Sequence, residues 1–263
     1  MDFDLKMALE AARAGAGVVR DGFLSRPEVR MKGVVDPVTV VDDAAEEAIF
    51  EVLDRMAPGE DRLGEESGGA GWDSDRVWIV DPLDGTVNFV HGMPHISVSV
   101  GLWEAGNPKV GVVIDVMRGE EFSAVAGQGA QLDGEVISVS EQETFGDSLV
   151  VTGFPYDRRD RASAYAQTLG AVLAEVRGIR RLGSAALDLA WVASGRFDGY
   201  WEYGLGPWDA AAGLLLVEEA GGRVTDHSGG SYRLDSATIT ASNGLIHDRL
   251  SEVVRAHLPD HLR

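Results

Sequence analysis

Residues 78–89 read Trp-Ile-Val-Asp-Pro-Leu-Asp-Gly-Thr-Val-Asn-Phe. The apolar run Val77 to Val80 predicts a buried strand, so Asp81 and Asp84 follow at its carboxyl end, where open sheets place their ligand sites. Pro82 has no amide hydrogen and stiffens the turn, which leaves the Leu83 carbonyl to face an ion instead of joining a ladder. Gly85 lets a phosphate approach the backbone, and Thr86 offers a hydroxyl where a new segment begins. The donors are all oxygens, which suits magnesium or manganese and not zinc. Asp-Gly in a loop also makes ordinary Asx turns, so this stretch alone leaves open a turn whose aspartates bond only the local backbone.

Two more segments extend the pattern. Leu63-Gly64-Glu65-Glu66-Ser67 follows a predicted helix and precedes a glycine-rich loop. Adjacent glutamates are commonly solvated, and these two carry that alternative. Gly206-Pro207-Trp208-Asp209-Ala210 opens a helix otherwise made of alanine, leucine and valine. An aspartate in a first turn also serves as a helix-dipole partner.

Taken together, Glu65, Asp81, Asp84 and Asp209 resemble the metal ligands of the inositol monophosphatase family, within the magnesium-dependent, lithium-sensitive sugar phosphatases. The resemblance covers nearly the whole chain. It is carried by Trp78 to Phe89, by Trp208 to Gly222, and by Arg181-Leu182-Gly183-Ser184-Ala185-Ala186, which looks like the family's substrate-contacting segment. The resemblance implies a five-layer αβαβα sandwich, a homodimer and two or three Mg2+ per site, with Mn2+ as a substitute. It assigns one ion to Glu65, Asp81 and the Leu83 carbonyl, a second to Asp81, Asp84 and Asp209, and a third, weaker one near Glu65.

Within that frame Glu65, Thr86 and Asp42 are the expected catalytic residues. A threonine hydroxyl is a poor base, so Thr86 is expected to position the attacking water while Asp42 accepts its hydrogen bond. Asp42 also fits as a simple cap of the second helix. The expected substrate contacts are Leu83, Asp84, the amides of Gly85 and Thr86, those of Gly183, Ser184 and Ala185, and Asp209. Glu202, in Tyr200-Trp201-Glu202-Tyr203, resembles the acid that accepts hydrogen bonds from polyol hydroxyls, with an exposed strand-end glutamate as its alternative. Asp188, Asp198, His91 and His95 are read as structural. Lys32 to Pro37 looks like a loop able to close over the site.

Composition bounds these readings. The 263 residues include no cysteine, which excludes disulfides, thiolate catalysis and cysteine-held zinc. A formal net charge of −20 disfavours nonspecific binding to nucleic acid or anionic membrane. It also means that an anionic substrate needs local cations, which bound divalent ions supply. The acidic start Met1-Asp2-Phe3-Asp4 lacks a signal-peptide pattern and no apolar run reaches membrane-spanning length, so a cytoplasmic protein is expected.

Periodicity predicts helices over Leu5 to Phe23 and from Asp42 or Asp43 to Met56, then strands over Ile96 to Leu102, Lys109 to Met117 and Glu121 to Ala126 with a hairpin at Asp133-Gly134. Later come a strand over Ser148 to Thr152, helices over Arg161 to Val176, Ser184 to Ala193 and Pro207 to Ala220, and strands at Gly199 to Tyr203, Arg223 to Thr225 and Thr238 to Ala241 before a terminal helix. The expected halves are 1–145, holding most metal ligands, and 146–263, contributing Asp209 and substrate contacts. The leading expectation is hydrolysis of myo-inositol monophosphate. Histidinol phosphate, fructose 1,6-bisphosphate and 3′-phosphoadenosine 5′-phosphate are alternative substrates, with Arg180 and Arg181 as the nearby cations for a second phosphate. A metal-stabilised, non-catalytic regulatory protein is the reading from another class.

Overall fold

In the computed structural model, which describes residues 2–25, 27–33 and 37–262, the two large sheets draw on separate parts of the chain, beside a two-stranded antiparallel pair of Val29–Met31 with Pro37–Thr39. The first has eight strands in the spatial order Glu135–Ile137, Ala130–Leu132, Glu120–Val125, Asn107–Asp115, Ser97–Glu104, Arg76–Asp84, Asp61–Gly64 and Gly68–Gly69. It is antiparallel except where Asp61–Gly64 runs parallel to Arg76–Asp84. The second has five strands in the order Gly178–Arg180, Leu149–Thr152, Gly199–Tyr203, Thr238–Ser242 and Arg223–Thr225.

The period-two alternation of strand side chains divides the interior into three cores. Trp78 and Val80 face helices Phe3–Gly22 and Val40–Met56 through Met7, Ala12, Ile49 and Leu53. Their neighbours Val77 and Ile79 face the other way, into a core shared with helices Ala185–Ala193 and Gly213–Glu219. That same core takes Val151, Tyr200 and Ala241 from the second sheet, while Val150, Trp201 and Tyr203 turn toward helices Arg158–Leu173 and His247–Ala256. Each sheet is thus covered on both faces, and the five layers are helix, sheet, helix, sheet, helix.

Several elements differ from the sequence reading. The second helix is capped by Thr39, and Asp42 sits at its third position as the reciprocal partner of a capping box. The helix expected over Pro207 to Ala220 is two pieces, Pro207–Ala210 and Gly213–Glu219. Strands Asp61–Gly64 and Gly178–Arg180 are too short for alternation to reveal, and Glu65 follows the first of them instead of a helix. Helix Arg158–Leu173 begins three residues earlier than its apolar pattern, with a non-helical break at Arg161. Residues 34–36 of the proposed closing loop lie outside the described residues.

Candidate metal centre

The strand Arg76–Asp84 loses register with its neighbour between Asp81 and Asp84, where Pro82 cannot donate to the ladder. Gly85 then turns the chain with φ 97°, a conformation that side chains resist, and the short helix Thr86–Val90 begins at once. Both aspartates are buried by this geometry. Asp81 Oδ1 accepts the Leu83 amide at 3.0 Å. Asp84 Oδ2 accepts the Ser184 hydroxyl at 2.7 Å, the Ala186 amide at 2.8 Å and the Ser97 hydroxyl at 3.3 Å. The start of helix Ala185–Ala193 therefore donates to Asp84, and the Ser184 side chain, fully buried, is engaged there.

Asp209 arrives from the far part of the chain. Its Oδ2 accepts the Gly206 amide at 2.6 Å. The turn after it lies flush against the first sheet because Gly111 has no side chain: a Cβ there would come within 2.7 Å of the Ala212 carbonyl. Trp103 Nε1 donates to the Ala211 carbonyl at 3.1 Å, fixing the same turn.

Asp81, Asp84 and Asp209 each offer a carboxylate oxygen, and these oxygens lie within 4.8 Å of one another. Burial first, and then the mutual charges of Glu65, Asp84 and Asp209, hold the Asp81 carboxyl well above the usual carboxylate range. Asp209 is raised for the same reasons. Three converging carboxylate oxygens suit a hard divalent ion, whose charge would offset the repulsion that raises these groups.

Glu65 shares the pocket with the triad but is not one of its three members. The Lys32 ammonium bonds it at 3.1 Å and reaches Glu66 at 2.5 Å. Its loop is clamped by a residue that the sequence reading did not single out. Glu46, buried on the second helix, accepts the Glu66 and Ser67 amides, each at 3.0 Å. Gly64 makes room for it, since a Cβ there would overlap the Glu46 carboxylate. One of three glutamates within an amphipathic helix, Glu46 gives no sign in the sequence of such a partner 20 residues on.

Thr86 Oγ1 lies 3.1 Å from Asp42 Oδ1 and from the Leu83 carbonyl. Asp42 Oδ2 meanwhile accepts the Thr39 amide at 2.8 Å and the Thr39 hydroxyl at 2.6 Å. The helix-cap role and the contact with Thr86 thus coexist on the two oxygens of one carboxylate. Burial outweighs those hydrogen bonds and raises the Asp42 carboxyl.

The pocket that holds the triad is also lined by Gly85, Thr86, Gly183, Ser184, Ala185 and Glu202. Glu202 is buried, not exposed at a strand end, and accepts the Tyr200 hydroxyl at 2.6 Å. Burial pushes its carboxyl up to about 8 despite that bond. Gly153 faces it, and a Cβ on Gly153 would overlap both carboxylate oxygens. Phe154, Arg158 and Tyr203 also line the pocket and were not named as site residues from sequence: no motif marks the first two, and Tyr203 was quoted only as a neighbour of Glu202.

Asp188 and His95 pair with each other in the interior at 3.2 Å, and Asp198 accepts the Leu149 amide and the Ser140 hydroxyl. No helix among the described residues is long and apolar enough to cross a membrane.

The model of the inositol monophosphatase family matches residues 1–261. The Nus factor SuhB of Pseudomonas aeruginosa is 41% identical over 266 residues, covering 98% of each chain. Among solved structures, the extragenic suppressor protein suhB of Bartonella henselae superposes with a TM-score of 0.91 at 41% identity, over 97% of this chain and 99% of the other. The inositol monophosphatase of Anabaena does so with a TM-score of 0.87 at 40% identity, over 99% and 98%. Whole-length agreement in sequence and fold, with the acidic triad at its centre, establishes that this chain belongs to the inositol monophosphatase family.

Proposed function

We propose that this protein is a divalent-metal-dependent phosphomonoesterase that hydrolyses the phosphate ester of a small polyol, with myo-inositol monophosphate as the leading substrate. The convergence of Asp81, Asp84 and Asp209 in a pocket that Thr86 and Glu202 also line is the observation that supports it most. Glu65, Asp81, the Leu83 carbonyl, Asp84 and Asp209 are the residues that would hold Mg2+, or Mn2+ in its place. Such ions, when bound, lower the pKa of water and neutralise the phosphate and the leaving alkoxide.

The chain's own groups do the positioning. Asp42 takes the Thr86 hydrogen, which turns the Thr86 oxygen into an acceptor that fixes the water on the face opposite the leaving group. The amides of Gly85 and Thr86, at the beginning of a helix, and those of Gly183, Ser184 and Ala185 receive the phosphate oxygens. Glu202 orients the polyol through its hydroxyls, held in place by Tyr200.

Relatives called Nus factor SuhB favour a second reading, in which the chain acts as a binding protein. Phosphate release from inositol 1-phosphate, histidinol phosphate, fructose 1,6-bisphosphate and 3′-phosphoadenosine 5′-phosphate, with and without magnesium, separates the two. Magnesium-dependent release is the expected result, and silence across all four esters would reject the enzymatic reading.

A further inference from the structure

Asn88 belongs to the same stretch as Asp81, Asp84 and Thr86, yet it is buried and does not line their pocket. It stands in the short helix Thr86–Val90, just beyond the turn at Gly85. Its Nδ2 donates to the His95 carbonyl at 2.8 Å and to the Leu182 carbonyl at 2.8 Å, and it lies 3.5 Å from the Gly183 carbonyl. A side-chain amide has two hydrogens, and the two short bonds use both of them. The amide oxygen could not take the nitrogen's place, because it would face two acceptors.

The bridge joins segments 94 residues apart at the point where two glycine turns meet. A Cβ on Gly85 would come within 3.1 Å of the His95 carbonyl and 3.2 Å of the Gly183 carbonyl, and one on Gly183 within 3.3 Å of Asn88 Nδ2. Both glycines have positive φ, 97° and 91°. Close contact alone keeps the turns from approaching further, and the Asn88 bonds keep them from parting. A second tie lies beside the first: His95 Nε2 meets Asp188 Oδ1 at 3.2 Å, both side chains are buried, and Asp188 is part of helix Ala185–Ala193, which follows the Gly183 turn. Amides from both turns are assigned to one phosphate. A change of about 1 Å in their separation takes one set out of hydrogen-bond range.

We propose that Asn88, seconded by the His95–Asp188 pair, is a positioning residue that sets the separation of the turns at 85–86 and 183–185, so that the amides of both reach one phosphate. This rests on the phosphomonoesterase reading above and adds to it residues that act from behind the pocket wall. The metal ligands keep their own anchors, Asp81 on the Leu83 amide and Asp84 on Ser184 and Ala186. Loss of the bridge therefore acts on phosphate and spares the ion.

The test uses the whole chain with Asn88→Ala and Asn88→Asp, the second of which sets a carboxylate against two carbonyls. Manganese affinity is read by spin resonance, and inorganic phosphate is titrated by calorimetry in saturating magnesium. In each folded variant the Kd of phosphate should rise at least about tenfold while that of manganese stays within about threefold. Phosphate bound as tightly as by the parent overturns the proposal, and so does an equal loss of both ligands, which would mark Asn88 as a support of the fold or of the ion. Should neither variant fold, Asp188→Ala cuts the second tie: weaker phosphate binding that Asp188→Asn restores supports the proposal, and unchanged binding in Asp188→Ala overturns it. Absence of hydrolysis by the parent defeats the phosphatase reading alone, because the phosphate titration still decides the role of Asn88; a parent that binds no phosphate overturns that role as well.

Discussion

Replacing Asp81 by asparagine should make the metal-free protein more stable while removing its hydrolytic activity. The carboxylate oxygens of Asp81, Asp84 and Asp209 approach within 4.8 Å, where two unit charges at an effective dielectric of about 20 repel by ~3.5 kcal/mol. Burial and mutual repulsion push these carboxyls toward the protonated form, which relieves part of this. The asparagine side chain would keep the oxygen that accepts the Leu83 amide, so the local turn survives. A net gain of about 2 kcal/mol, or roughly 4–8 °C in midpoint for a chain of this size, is expected in EDTA. Saturating magnesium should reverse the order: the unaltered protein gains about 2.7 kcal/mol at a hundredfold excess over Kd, and the variant gains little. Thermal melts in EDTA and in magnesium, beside a phosphate-release assay, read all three effects. An Asp81→Asn protein that melts lower in EDTA, or that magnesium stabilises as much as its parent, refutes the argument that three converging charges await a cation.

Glu46→Ala should strand the Glu66 and Ser67 amides, cost about 1–3 kcal/mol in urea denaturation and weaken manganese binding measured by spin resonance; unaltered manganese affinity would show that the clamp does not serve Glu65. Glu202 gives a pH dependence of definite sign. Its native carboxyl keeps its proton up to about 8, whereas the unfolded one releases it near the ordinary value of about 4.3, so between those values the native state binds more protons. The stabilisation is complete below the unfolded value and is lost as pH rises through about 8, with a limiting slope of about 1.4 kcal/mol per unit. Glu202→Gln should reduce the fall in melting temperature between pH 5 and 9, and identical slopes in the two proteins would count against a buried, raised carboxyl.

What was legible in sequence was whatever is written locally. The run Val77 to Val80 meeting Asp81 and Asp84, the helix through Met7, Leu9 and Ala12, and the Asp133-Gly134 hairpin are set by periodicity and turn chemistry over a few residues. Resemblance carried Glu65 and Asp209 into the same pocket. Short strands such as Asp61–Gly64 escaped because four residues hold too little alternation, and the break after Ala210 escaped because alanine-rich sequence favours unbroken helix.

The sequence by itself determined the kinds of donor available: carboxylates, a freed carbonyl, a threonine hydroxyl, and no thiol at all. Only the tertiary structure decided which of them meet and on which oxygen each is already engaged. Asp84 gives one oxygen to Ser184 and Ala186, a hundred residues away, and Asp42 divides its two between Thr39 and Thr86. The clamp by Glu46, the burial of Glu202 against Gly153 and the placing of Arg158 and Arg181 in the pocket wall belong to the same class. Such choices depend on distances across packed layers, where short-range hydrogen bonding and repulsion act between residues with no fixed spacing along the chain.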